Sequence, residues 1–540
     1  MKAPAQDSQR RSLMAPEVPR WPLDPERPIV RLRAVGKRFG EKRVLDGLSF
    51  DVETGKTTVI IGESGSGKSV LLKLMNGLLH ADSGSVELFG EALEASSEAR
   101  RNALRKRTGM VLQNYALIDS ISVLENVAFP LTENTRLSRS EVHDRVMDLL
   151  SMLGMADAAK RLPSELSGGM KKRVSFARAV VTEPELVLFD EPTTGLDPLM
   201  IEFVDGLIQQ MQARFEISSV IISHDMGSVF RLADHIAMLH EGRIIASGTP
   251  EEVQASQHEA VRRFVSVGGS GRLEAQSDAA ARDATGAVTD AVVSVRNLYK
   301  RFGSNEVLKG IELDIPRRAI SVIIGGSGSG KSVLLKHILG LFRPDKGEIR
   351  VNGQELTRLS ERELEHMRTK IGMLFQGAAL FDSMTVWENI AFALLERRHR
   401  ERMSEVRRRV DEVMERLHLH GIGEALPADI SAGQRKRVGL ARAIVTRPEL
   451  MIYDEPTTGQ DPIMIRYVDD MIVEAHHAFE LSSIVISHDM QSTFRIADFV
   501  AMVYEGRIAA AGPPSLLMAS PKEEVRRFVF AGAEDAEASA

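Results

Sequence analysis

Gly62-Glu63-Ser64-Gly65-Ser66-Gly67-Lys68-Ser69 recurs 263 positions later as Gly325-Gly326-Ser327-Gly328-Ser329-Gly330-Lys331-Ser332. The first copy follows a β-rich apolar run, Thr57-Thr58-Val59-Ile60-Ile61, and precedes a helical pattern from Ser69 to Leu79. Each octapeptide therefore marks a strand handing over to a helix. Glycines at such a turn leave backbone N–H groups unobstructed, and the positive helix end adds to them, so the loop can cradle phosphate groups. A Gly-Ser surface turn is the bland alternative, and two copies in the same strand-to-helix context argue against it.

The repeat extends well beyond the loop. Phe39 pairs with Phe302 and Gln113 with Gln376 at an offset of 263, while Ser167 with Ser431, Asp190 with Asp454 and His224 with His488 are offset by 264. One residue was gained or lost between the glutamine and the serine. Val261-Arg262-Arg263-Phe264-Val265 returns as Val525-Arg526-Arg527-Phe528-Val529. A period this long duplicates a whole domain, which gives the expected boundaries: domains at 29–265 and 292–530, a flexible linker at 266–291, and tails at 1–28 and 531–540. The linker and tails lack apolar periodicity and are rich in small and polar residues. Within each copy, short strands such as Leu186-Val187-Leu188-Phe189 alternate with helices, the pattern of a mainly parallel α/β sheet. A helical sub-lobe is expected from about Ala95 to Arg161, with Val142, Val146, Leu149, Leu150 and Leu153 on its apolar face.

Composition narrows the function. The 540 residues carry 69 Lys and Arg against 75 Asp and Glu, a formal charge of -6, so nothing in the balance suggests a nucleic-acid partner. With no cysteine, disulfides, thiolate zinc sites and cysteine-held iron–sulfur clusters are excluded together. No stretch approaches the roughly 18 apolar residues of a spanning helix, and no signal-peptide pattern opens the chain, so any membrane role is expected to be peripheral.

The octapeptides fit the Walker A pattern of P-loop proteins: Gly62 to Gly67 and Gly325 to Gly330 wrap phosphates, Lys68 and Lys331 reach the β and γ oxygens, and Ser69 and Ser332 ligate Mg²⁺. Leu186 to Glu191 and Leu450 to Glu455 are apolar strands ending in Asp-Glu. Asp190 and Asp454 can hold Mg²⁺ through water, leaving Glu191 and Glu455 to orient or deprotonate an attacking water. Such a strand end could instead be a helix cap, and the nearby glycine loop favours the catalytic reading. His224 and His488 directly follow apolar strands. A structural histidine is the common case there, but the sheet edge where α/β proteins bind ligands suits a γ-phosphate contact.

Leu166-Ser167-Gly168-Gly169-Met170 opens an apolar helix with a hydroxyl and bare N–H groups, a second anion-friendly helix start. Its counterpart is Ile430-Ser431-Ala432-Gly433-Gln434. Here the chain resembles the ATP-binding cassette (ABC) superfamily, whose signature motif this is. The resemblance implies two tandem P-loop ATPase domains that hydrolyse ATP with Mg²⁺. It also implies an intramolecular ATP sandwich in which Ser167, Gly168, Gly169, Ser431, Ala432 and Gly433 meet ATP held by the opposite domain. Under it Phe39 and Phe302 stack on adenine, Gln113 and Gln376 reach toward Mg²⁺, and Asp197 and Asp461 form Asp loops. A core aromatic is nearly as good a reading of the two phenylalanines.

The segment from Met373 to Phe392, reading Met-Leu-Phe-Gln-Gly-Ala-Ala-Leu-Phe-Asp-Ser-Met-Thr-Val-Trp-Glu-Asn-Ile-Ala-Phe, resembles the ATPases of MCE-linked (Mla-type) phospholipid transporters. The first copy departs from that pattern at Asn114-Tyr115-Ala116-Leu117-Ile118. This resemblance implies a pair of integral membrane permease subunits, an MCE-domain substrate-binding protein and a place on the cytoplasmic face of the inner membrane. The alternatives are another importer, such as one for sugar, and a tandem-cassette translation factor, against which the short and nearly uncharged linker stands.

Overall fold

The computed structural model describes residues 26–113, 115–268, 288, 290–396 and 402–531. Most of the expected N-terminal tail and linker, Asn114 and nearly all of the C-terminal tail lie outside the described residues. Two compact units form: one reaches Thr194 and resumes at Met200, and the other takes in Gly195–Leu199 and the C-terminal half.

In the first unit the strands are β1 (Val30–Phe39), β2 (Lys42–Val52), β3 (Thr57–Ile61), β4 (Ser83–Leu88), β5 (Glu91–Ala92), β6 (Thr108–Val111), β7 (Leu186–Asp190), β8 (Ser218–Ile222), β9 (His235–His240) and β10 (Arg243–Gly248). Four of them make an antiparallel sheet in the order β2-β1-β4-β5, and six make a second sheet in the order β10-β9-β3-β8-β7-β6. Every neighbouring pair in the six-stranded sheet is parallel except β9 with β10. Strands β3 and β8 are buried along their whole length, which explains why neither alternates between polar and apolar residues. One core cluster joins Val30, Leu32 and Leu48 of the antiparallel sheet to Ile60, Leu188 and Val220 of the parallel sheet, with Leu71, Leu72 and Met75 between them. The helix after the glycine loop is thus gripped by both sheets.

Two expectations change. That helix spans Lys68–Met75 and stops short of Leu79, because Gly77 adopts φ 63 and the Leu78 N–H turns back to Lys73 O at 2.8 Å, a glycine-terminated C-cap. The stretch from Ala95 to Arg161 is also not helical throughout. Between the Glu98–Arg105 helix and the Val123–Asn134 and Arg139–Met152 helices it contributes β6, which joins the parallel sheet beside β7. Gly109 is needed there, since a Cβ would lie 2.4 Å from Ala179 O. The expected apolar face holds: Val142, Val146, Leu149, Leu150 and Leu153 are all buried.

The second unit repeats this plan with β11 (Ala291–Phe302), β12 (Asn305–Pro316), β13 (Ile320–Ile324), β14 (Lys346–Val351), β15 (Gln354–Glu355), β16 (Ile371–Leu374), β17 (Leu450–Asp454), β18 (Ser482–Ile486), β19 (Phe499–Tyr504) and β20 (Arg507–Gly512). Its sheets run β12-β11-β14-β15 and β16-β17-β18-β13-β19-β20. Among the described residues no helix is long and apolar enough to cross a membrane.

Candidate functional site

Parallel neighbours present their carboxyl ends along one edge, and the crevice at that edge is where α/β sheets receive ligands. In the first unit β3 ends in the glycine loop, β7 in Asp190-Glu191, β8 in Ser223-His224, and β6 runs toward Gln113. The second unit brings its glycine loop, Asp454-Glu455, Ser487-His488 and Gln376 to the equivalent edge of its own sheet.

The loop geometry is closely matched in the two units. Gly67 and Gly330 cap their helices at φ 106 and 111, conformations that favour glycine. Lys68 Nζ donates to Gly62 O at 2.7 Å and Glu63 O at 2.9 Å, and Lys331 Nζ to Gly325 O at 2.6 Å and Gly326 O at 3.0 Å. Both ammonium groups are folded across their own loops and buried, and desolvation lowers the pKa of Lys331. The hydroxyls of Ser66 and Ser329, inside the two loops, are buried with no hydrogen-bond partner.

At the strand end, Ser69 Oγ donates to Asp190 Oδ1 at 3.1 Å. Desolvation, with the charge of the neighbouring glutamate, raises the pKa of both Asp190 and Asp454. Glu191 and Glu455 lie in the left-handed region at φ 51 and 46, a strained conformation for glutamate that turns each side chain away from its strand. Glu191 Oε2 accepts from Gln113 Nε2 at 3.2 Å and from Thr194 Oγ1 at 3.0 Å, and Glu455 Oε2 accepts from Thr458 Oγ1 at 3.2 Å. His224 Nδ1 stands 3.8 Å from Glu191 Oε1 and His488 Nδ1 3.9 Å from Glu455 Oε1, just beyond hydrogen-bond range. Desolvation pushes the Glu191 carboxyl up, but His224, Thr194 and the charge of Lys68 together hold it below its ordinary value. For Glu455 His488 is the largest influence, in the same direction. Both glutamates are therefore ionised at neutral pH and able to accept a proton.

Ser167 caps the Gly168–Val180 helix and Ser431 the Ala432–Ile444 helix, the two signature starts. Asp197 and Asp461 are buried immediately before helix-opening prolines, and Asp461 Oδ1 accepts from Met464 N at 3.0 Å. Phe39 and Phe302 are 49% and 44% exposed at their strand ends, which removes the core-aromatic reading; Lys37 lies over the first ring, and Lys300 and the edge of Phe342 meet the second.

Other residues gather here that motif reading passed over. Lys172 and Lys436 are buried, reach the backbone oxygens of Gln113 and Gln376 at 3.4 Å, and are lowered to about 8 by desolvation. Tyr115-Ala116 and Ala378-Ala379, just beyond the glutamines, each place two successive residues in the left-handed region. Arg178 donates to Tyr115 O and Ala116 O, and Arg442 to Ala378 O and Ala379 O, clamping those turns. For the two lysines and the two arginines the signal in the sequence was their constant spacing between copies.

Phosphate loop, acidic strand end, glutamine, histidine and serine-capped helix, all set around a parallel sheet, define a nucleotide-hydrolysing cassette. The ABC transporter family profile matches residues 45–194 and 308–458, so the chain belongs to that family and is an ATPase, the ATP-binding subunit of an ABC transporter with two cassettes. It is 29% identical over 545 residues, 93% of this chain and 98% of the relative, to the uncharacterized ABC transporter ATP-binding protein MJ1242 of Methanocaldococcus jannaschii. To a putative ABC transporter ATP-binding protein of Vibrio vulnificus it is 30% identical over 520 residues, 89% of each chain. The intermembrane phospholipid transport system ATP-binding protein MlaF of Escherichia coli is 39% identical over 237 residues, 44% of this chain and 88% of MlaF.

Proposed function

We propose that this subunit energises phospholipid transport, with cassettes at 29–265 and 292–530 acting on a separate membrane permease. The observation that carries the reading is the 39% identity to MlaF over 237 residues, roughly one cassette and higher than the identity to the full-length tandem relatives. The Met373–Phe392 segment after Gln376 supports it. Partners on this reading are two integral membrane permease subunits and an MCE-domain protein, at the cytoplasmic face of the inner membrane.

The placement of the residues supports the following chemistry. Phe39 and Phe302 stack on the adenine. The loops 62–69 and 325–332 wrap the phosphates, with Lys68 and Lys331 exchanging their loop carbonyls for β and γ oxygens. Ser69, Asp190 and Gln113, with Ser332, Asp454 and Gln376, form oxygen-rich donor sets that fit Mg²⁺. When bound, the ion supplies charge neutralisation at the transferred phosphoryl group. Glu191 and Glu455 orient the attacking water and take its proton, and His224 and His488 donate to the γ-phosphate. Ser167 with Gly168 and Gly169, and Ser431 with Ala432 and Gly433, add helix-end N–H donors, while Asp197 and Asp461 order the adjoining loops.

The test is ATP-dependent movement of a labelled phospholipid in proteoliposomes holding this subunit and its co-purified membrane partners. Transport should vanish in Glu191→Gln/Glu455→Gln. Robust coupled ATP hydrolysis without lipid movement overturns the lipid reading. Docking is probed by Phe381→Asp, since Phe381 is 41% exposed on the turn before the Val386–Leu395 helix. Trp387 packs partly against the core, so Trp387→Asp would confound docking with folding. Phe381→Asp should weaken co-purification with the permease and leave the ATPase of the isolated chain within about twofold.

A further inference from the structure

Each unit buries an aspartate in the helix that follows its Asp loop: Asp205 in Pro198–Phe215, 0% exposed, and Asp469 in Pro462–Phe479, 1% exposed. A carboxylate is costly to bury unless polar partners answer it. The partners come from the short helix after the histidine. Ser228 Oγ donates to Asp205 Oδ1 and Oδ2 at 3.0 and 2.8 Å, and Arg231 Nε lies 3.2 Å from Oδ2. In the second unit Ser492 Oγ donates to Asp469 Oδ1, and Arg495 Nη1 to Oδ2 at 2.6 Å. All three residues recur at the offset of 264 that relates His224 to His488.

The same serine also reaches toward the histidine. Ser228 N–H donates to Asp225 Oδ1 at 2.7 Å and Ser492 N–H to Asp489 Oδ1 at 2.9 Å, each aspartate being the N-cap of its short helix and the next residue after the histidine. Asp225 N and Asp489 N in turn donate to Ser223 Oγ and Ser487 Oγ at 3.1 and 3.0 Å on the other side of the histidine. A helix of seven residues, Met226–Leu232 or Met490–Ile496, has too few internal hydrogen bonds to hold its own position. Its place is set by what it is tied to. A buried carboxyl tied to both a hydroxyl and an arginine fixes direction and register in a way that sliding apolar contact does not.

We propose that Asp205 and Asp469 are positioning residues for ATP hydrolysis, holding through Ser228 and Ser492 the turns that carry His224 and His488. The inference rests on the reading of those histidines as γ-phosphate contacts. Neither aspartate touches nucleotide on this account; each acts through its histidine.

A double-mutant cycle in the full chain tests it. Asp205→Asn/Asp469→Asn should lower kcat about tenfold and change KM for ATP by less than about twofold, and His224→Ala/His488→Ala should lower kcat about 100-fold. Combined, the two pairs should cost less than about twofold beyond the histidine pair alone, because the group being positioned is gone. Ser228→Ala/Ser492→Ala, which deletes one donor and leaves the carboxylate with its arginine, should show a smaller loss with the same dependence on the histidine, should the asparagine pair fold poorly. A further tenfold loss in the histidine-free background, or a kcat per folded molecule equal to wild type, overturns the proposal. If the alanine pair at the histidines keeps full activity, the phosphate reading fails first and the proposal falls with it.

Discussion

The two signature helices differ in how they begin. Ser167 accepts from Met170 N at 3.3 Å, and methionine has no side chain able to return a strong hydrogen bond. Ser431 accepts from Gln434 N at 3.2 Å, and Gln434 Oε1 accepts from Ser431 N at 2.9 Å, a closed capping box. The first start has two bare glycines and the second has Ala432 in place of one. Both helices spend one opening N–H on the capping serine; the second also spends the Ser431 N–H on Gln434 and carries the Ala432 methyl group. A single repeat has thus diverged toward openness in one copy and local stability in the other.

The largest effect expected is at the glutamates. Glu191→Gln and Glu455→Gln remove a base while leaving the phosphate loops and metal donors in place, so ATP binding should persist and kcat fall by about 100-fold or more in the double variant. Single variants sharpen the comparison: if the cassettes contribute unequally, steady-state ATPase assays will show one substitution costing clearly more than the other. Loss of nucleotide binding would instead make these glutamates structural.

Exchanging the signature residues comes next. Ala432→Gly should raise turnover about twofold, and Gly168→Ala should lower it several-fold. A Cβ on Gly168 would meet only Tyr115 Oη at 3.5 Å, an ordinary contact, so stability should barely move. Equal rates for wild type and both variants would show that the extra methyl group is irrelevant.

The capping box carries the opposite signature. Ser431→Ala should destabilise the second cassette by about 1 kcal/mol, and Gln434→Met, which copies the first cassette, by less, read as shifts in urea midpoint. Ser167→Ala should cost a similar or smaller amount, since its cap is one-sided.

The last effect is one of pH, shared by both cassettes. Burial raises Asp205 and Asp469 to about 7, with Arg231 and Arg495 opposing it and Asp225, Glu202, Asp489 and Asp470 adding to it. A folded-state pKa above the unfolded value means that the folded chain keeps protons which the unfolded chain has released. Stability from these groups is present below about pH 4 and is lost as pH rises toward 7. Asparagine cannot titrate, so the Tm of Asp205→Asn/Asp469→Asn relative to wild type should increase from about pH 4.5 to 7.5. A constant difference would place both carboxyls outside this window.

Much of the site was legible because it depends on short-range patterns. The glycine loops, Asp190-Glu191 and Ser167-Gly168-Gly169 are each contiguous, and each falls at a strand end or helix start whose geometry follows from local residue types. Less local features were missed. The helix after Lys68 stops at Met75 because Asn76-Gly77 ends it, although the apolar pattern continues to Leu79. Strand β6 has only four residues, too few for a period to emerge inside a helical region, and it exists because β7 pairs with it. Phe39 reads equally well as core or as an open ring until β1 and β2 show its side chain outside.

By itself the sequence determined the duplication, the α/β class and the candidates for phosphate chemistry, because those follow from spacing, side-chain type and strand-to-helix order. Only the tertiary structure decided how the groups are held. It put Glu191 and Glu455 in a left-handed backbone, buried Lys172 and Lys436 against the glutamine loops, and joined Asp205 to Ser228 across 23 residues of chain. Each of these is a cost that an isolated segment would refuse. It persists because packing from distant parts of the chain removes the alternatives, and no window of sequence contains that packing.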